Sequence, residues 1–194
     1  MAALVAIVAG LVLGSIAALT RNHWPDRLIV FFTTLGTAMP SFVLATLLLL
    51  VFCLKLGWFP VWSSTSPNYV LPIIALSVYP MAYITRLTKT SMLDSLNQDY
   101  IRTARAKGVP EKMVIRKHAL KNALIPVVTV IGLQFGSLLG GATLTETVFA
   151  WPGVGRLLVD SIKSKDAPLV LGGVIMMTIT FSIVNLCVDI LYAF

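Results

Sequence analysis

The chain has 194 residues, 57% of them hydrophobic and 12% charged. An ordinary soluble domain carries about 25% charged residues, so a soluble globule built from this sequence would lack polar cover. A net charge of +7 would suit a nucleic-acid binder, but most basic residues fall in or beside one short region between long apolar runs, the distribution of inner-membrane proteins, and nucleic acid is excluded as a partner.

A membrane-spanning helix needs about 20 mainly apolar residues. Five segments approach that length: 1–20, 28–56, 70–87, 123–145 and 169–194. The first, MAALVAIVAGLVLGSIAALT, lacks a basic leader and a polar cleavage flank and reads as a mature spanning helix, with a signal peptide as the alternative. Pro40 and Ser41 predict a bend in the second. In the third, Pro72 sits near the start, where a missing N–H costs little, and Pro80 is interior, where a kink is expected. Cys53 and Cys187 stand alone in apolar runs, and His23 and His118 have no clustered second ligand. Neither a redox pair nor a metal site is expected, and no residue reads as catalytic.

Between the third and fourth spans, residues 90–122 form a basic segment too orderly for a simple turn. Within it, YIRTARAKGVPEKMVIRKHALKNALIP (100–126) holds seven Lys or Arg and one acidic residue. The pattern predicts a short helix around 101–107, a break at Gly108, and a second helix opened by Pro110 at its first position with Glu111 in its first turn. Met113, Ile115, Ala119 and Leu120 supply a broken apolar stripe in that second helix. Lys112/Arg116 and Lys117/Lys121 repeat at i,i+4, which is unfavourable in isolation and suits a phosphate or acidic partner. With the first span running inward, the side holding 21–27, 86–122 and the C-terminus carries 11 basic residues against 4 on the other. The positive-inside tendency then puts 90–122 in the cytoplasm.

The fourth span, LIPVVTVIGLQFGSLLGGATL, places Gly132, Gly136 and Gly140 on one face at intervals of four, a spacing that lets helices approach closely in a bilayer. TETVFAWPGVGRLLVDSIKSKDAPLVLG follows on the outer side, where Pro152, Gly153 and Gly155 stop a regular helix. Glu146 could meet a cationic substrate group or a binding protein, or make a structural hydrogen bond. Trp151 reads as an interface or packing anchor rather than a stacking platform. In the last span Asn185 and Asp189 share a face.

The stretch DYIRTARAKGVPEKMVIRKHALKNALIP resembles the cytoplasmic signature loop of membrane subunits of ATP-binding-cassette importers, in the branch that moves di- and oligopeptides, nickel or glutathione. Ala104, Gly108 and Leu120 match the generic pattern of that loop, whereas ARAKG followed by HALKNALIPV is closer to the peptide branch's own form. ETVFAWPGVGRL and the DR…PSF…L region after residue 24 resemble the same branch, and similarity runs from about residue 10 to the end. The resemblance implies an all-α type I importer permease fold with about five spans and a coupling helix. It implies that Arg102, Ala104, Arg105, Gly108, Pro110 and Glu111 belong to a surface coupled to a separate ATPase, which would hold ATP and magnesium. A second permease subunit, an extracytoplasmic binding protein and membrane lipid are the other implied partners, in a bacterial or archaeal cytoplasmic membrane. No GxxxxGK[ST] phosphate cradle occurs in the sequence. Permeases of this branch generally have six spans, so five suggest that the first is missing and 1–194 is an N-terminally truncated transmembrane domain. A secondary transporter or channel, or a nonfunctional membrane fragment, are the alternatives to an importer subunit.

Overall fold

The computed structural model describes residues 1–61 and 67–193, and their side chains except at 137, 139, 140, 188, 189 and 191–193. Among the described residues all regular structure is helical: α1 (Ala2–Leu19), α2 (Trp24–Ala38), α3 (Ser41–Leu48), α4 (Val70–Leu96), α5 (Asp99–Ala106), α6 (Glu111–Met113), α7 (Lys121–Val148), α8 (Val154–Lys163) and α9 (Ala167–Ala193). α3 continues as a π-helical stretch, Leu49–Lys55, and α6 as another, Val114–Leu120. Among the described residues four helices are long and apolar enough to cross a membrane, or five if the broken pair made by α2 and the 41–55 segment counts as one.

The predicted bend in the second span is a complete break. Proline disfavours helix at the residue before it, so α2 stops at Ala38, and Pro40 caps α3 with φ −60° and ψ 139°. Its carbonyl accepts the N–H groups of Val43 and Leu44. The third span extends past the expected residue 87 to Leu96, running through Pro80 as one helix, so part of the expected 90–122 loop is the end of α4.

The chain divides into two compact units. One comprises 1–3, 39–79 and 132–194; its buried core is Ala45, Leu71, Ala75 and Phe149, with Phe52, Cys53 and Phe59 packed around them. The other comprises 4–38 and 80–131, and so holds α1, α2, the second half of α4, the whole 99–120 region and the start of α7. There α1 lies against α4 through Gly10, Gly14 and Ala18, which with Ala6 make a ladder of small buried residues four apart. A Cβ on Gly14 would stand 2.6 Å from the Thr85 carbonyl oxygen, so the two backbones are nearly touching.

Candidate functional site

The 99–120 region is built around a helix ending that only its glycine makes easy. α5 buries Ile101 and Ala104 and exposes Arg102 and Arg105. At its end the Gly108 N–H bonds the Arg105 carbonyl (2.9 Å) and the Val109 N–H bonds the Ala104 carbonyl (3.2 Å). That pair of bonds is a Schellman ending, which needs a left-handed residue at its centre, and Gly108 has φ +77°. A Cβ there would meet nothing within 4 Å, so the constraint is backbone conformation rather than space.

Beyond the turn, the second helix begins one residue later than expected. Pro110 is its N-cap, with φ −56° and ψ 138°, and Glu111 its first residue. The Pro110 carbonyl accepts the N–H groups of Met113 (2.8 Å) and Val114 (3.0 Å). Of the expected apolar stripe, Ala119 is buried and Ile115 and Leu120 pack against Met92 and its neighbours, while Met113 departs from it. The π-helical stretch pairs residues five apart, so Val114 and Ala119 share the buried side with Ile101 and Ala104, and Met113 is 50% exposed. Leu96 and Val109 close this small core.

Arg105 and Glu111 brace the turn from outside by a forked ion pair, Nε to Oε2 at 3.0 Å and Nη2 to Oε1 at 2.6 Å. The hydrogen bond to Glu111 raises the Arg105 pKa further, so the guanidinium stays charged. Arg102 pairs loosely with Asp99 at 3.5 Å and both are exposed. Pro110, Lys112, Met113, Arg116 and Lys117 line an open groove of about 510 Å³, basic at its walls with a methionine between. Such a surface suits an acidic, partly apolar partner.

Contacts at three residues of α4 have no signal in the sequence, and those of Ser95 fix the 99–120 region to that helix. The Ser95 hydroxyl, on a residue 6% exposed, bonds the Ala119 carbonyl (3.0 Å) and pairs with the Tyr100 hydroxyl (2.6 Å). Met92 packs with Ala18 of α1 and Ala123 of α7. Lys89, counted in the sequence only as a topology charge, meets Asp26 at 2.5 Å.

The other predicted residues lie in the first unit. On α7, Gly132 is buried, and a Cβ on Gly136 would run into the Phe181 ring of α9. The surroundings of Gly140 and Asp189 lie outside the described residues. Glu146 Oε2 accepts the Arg156 N–H at 3.1 Å, at the third residue of α8, so the carboxylate supplies the N-terminal acceptor that the Gly153 cap cannot. A Cβ on Gly153 would overlap that carboxylate. Glu146 also borders a cleft of about 220 Å³ with Thr143, Gly155, Met176, Met177 and Thr180. Trp151 packs edge-on against Tyr69 with ring centres 4.8 Å apart. Among the described residues no three His, Cys, Asp or Glu side chains are grouped to hold a metal.

The described residues make a multi-span helical chain interrupted by a packed pair of short helices. The fold is that of a chain in the inward-facing MetNI methionine ABC transporter, with a TM-score of 0.78 over 99% of this chain and 88% of that one, at 17% identity. The chain belongs to the family described as the binding-protein-dependent transport system inner membrane component, whose profile matches residues 10–194. This is a family of multi-pass membrane permeases, which are non-catalytic subunits. The chain is 48% identical to the glutathione transport system permease protein GsiC of Escherichia coli over 97% of its own length. It is 47% identical to the protein of the same name from Pectobacterium atrosepticum, with the same coverage. It spans 62% of the length of each of these relatives.

Proposed function

We propose that the chain is part of the permease of an ATP-driven importer for di- or oligopeptides or a peptide-like solute of the glutathione kind, contributing to the translocation pathway. A separate cytoplasmic ATPase would bind and hydrolyse magnesium ATP, a second permease subunit would complete the pathway, and an extracytoplasmic protein would deliver the solute. The observation that carries this reading is the 99–120 region. Its short helices turn at a left-handed Gly108, rest on α4 through Ser95, and expose Lys112, Arg116 and Lys117 around Met113. A topology loop needs positive charge but no buried core, and this one has a core of its own. Within the region, Arg102, Ala104, Arg105, Gly108, Pro110 and Glu111 form or shape the ATPase-coupling surface.

Similarity to glutathione permeases favours a small peptide-like cargo. Gly132, Gly136 and Gly140 act as a packing seam, and Glu146 and Trp151 serve the outer mouth chiefly by holding α8 and the turn before it. The test is reconstitution of the chain in its full importer context, with ATP-dependent uptake measured for glutathione, dipeptides, longer peptides and nickel. Uptake of one of these that requires ATP, the ATPase and the binding protein is the expected result. Uptake driven by an ion gradient without ATP would refute the reading in favour of a secondary transporter.

A further inference from the structure

Resting on that coupling role, we propose that the Asp26–Lys89 ion pair is a positioning joint that carries displacement of the 99–120 region from α4 into α2. Asp26 is nearly enclosed, its side chain 7% exposed, and Lys89 is 21% exposed. Both carboxylate oxygens are engaged: Oδ1 by the Lys89 ammonium, Oδ2 by the Asn22 N–H at 3.0 Å. Asn22 itself holds a left-handed backbone, φ +66°, so the turn between α1 and α2 is shaped around the carboxylate. The partners lie 63 residues apart in the chain and link the first turn of α2 to α4.

The position of Lys89 on α4 gives the pair its meaning. From Lys89 to Ser95 the helix rises about 9 Å, and over that length it meets α1, α2, α5, the 114–120 stretch and the start of α7. Ser95 binds the Ala119 carbonyl and the Tyr100 hydroxyl, Met92 packs on Ala18 and Ala123, and Lys89 binds Asp26. Movement of the short helices therefore reaches α4 at Ser95 and leaves it at Lys89. An apolar contact at that exit could slide by small steps. A shielded ion pair resists partial opening, because separating the charges leaves a buried carboxylate uncompensated. The joint transmits motion without slack.

The test uses an importer assembled around this chain in proteoliposomes, measuring ATPase co-purification, ATP hydrolysis and solute uptake per ATP. Asp26→Asn and Lys89→Met are expected to retain the ATPase while uptake per ATP falls about fivefold or more, the lower range of coupling between distant sites. Asp26→Glu and Lys89→Arg, which keep the charges, are expected to restore most of the ratio. Unchanged uptake per ATP in the neutral variants would overturn the proposal. So would neutral variants that fail to assemble beside conservative ones that behave as the parent, because the pair would then serve folding alone. A parent importer that assembles without an ATPase would overturn the coupling reading itself, and that result is visible before any variant is made.

Discussion

The contact between α1 and α4 makes a sharp quantitative demand at Gly14. A methyl group placed there would sit 2.6 Å from the Thr85 carbonyl oxygen, 2.6 Å from Thr88 Cβ and 3.0 Å from Thr88 Cγ2. The first of these neighbours is backbone and cannot rotate away, so Gly14→Ala requires the helices to part by about 0.6 Å or more. A gap of that size forfeits a quarter to a half of each van der Waals contact it opens. Overpacking of this kind typically costs about 1–3 kcal/mol. Gly10→Ala is expected to cost less, since its closest neighbours at 2.8 and 2.9 Å belong to the Ile84 side chain and the nearest backbone atom is at 3.2 Å. Gly172→Ala is the control, because a Cβ there meets nothing within 4 Å. Alanine's helix preference, about 1 kcal/mol over glycine, should leave that variant neutral or slightly stabilised. The assay is reversible unfolding of the purified chain in mixed detergent micelles. Thr88→Ala added to Gly14→Ala should recover only part of the loss. It removes the methyl contact and the Thr88 hydroxyl, which is buried without a hydrogen-bond partner, but leaves the Thr85 carbonyl in place. A Gly14→Ala protein as stable as Gly172→Ala would refute the close approach.

Three other perturbations separate local causes. Gly108→Val should preserve membrane insertion but weaken ATPase co-purification or uncouple hydrolysis from uptake, because a left-handed backbone costs a side-chain-bearing residue about 1–2 kcal/mol; Gly108→Asn should be mild, and equal behaviour of the two would remove the conformational explanation. Ala150 has φ +55° in the turn after α7, so Ala150→Gly should raise stability by about 1 kcal/mol in the same unfolding assay, and no gain would mean the turn is not strained. Gly136→Leu should impair assembly of the membrane part more than it alters cargo preference, measured by yield of monodisperse complex beside uptake of a solute panel; normal assembly with changed selectivity would contradict a packing role.

The spans are legible because lipid requires long apolar helices: the first, fourth and fifth expected segments have their helices within a few residues, the second is a broken pair, and the third runs on from 87 to Leu96. Composition could not tell a bend at Pro40 from a break, since that depends on how the backbone leaves the proline. Gly108 was readable as an interruption, and the bonds at Arg105 and Ala104 give the physical reason. An α-helical period puts Met113 on the apolar stripe, whereas the π-helical stretch brings Val114 and Ala119 together and leaves Met113 half-exposed. The α1 ladder was available in the sequence, as Ala6, Gly10, Gly14 and Ala18 recur every four residues. The Asp26–Lys89 pair had no such signal, because two lone charges 63 residues apart acquire a relation only when α2 and α4 meet.

Small residues and charges act differently in the unit that holds the 99–120 region. At Gly14 the α1–α4 contact brings a glycine against the Thr85 carbonyl, a backbone atom that cannot rotate away, so the contact is stiff there. Ser95 adds a directional bond at the end of α4, where the helix would otherwise meet the short helices through apolar contacts alone. The exposed charges do not share in this rigidity. Arg105 and Glu111 brace the turn in open solvent, where an ion pair adds little to stability. Lys112, Arg116 and Lys117 stand at the mouth of a groove, with no ion pair recorded to any of them among the described residues. Stiffness behind and uncommitted positive charge in front is what a surface needs if it is to receive force from a separate protein. A segment that served only to hold the chain's orientation in the membrane would need the charge alone.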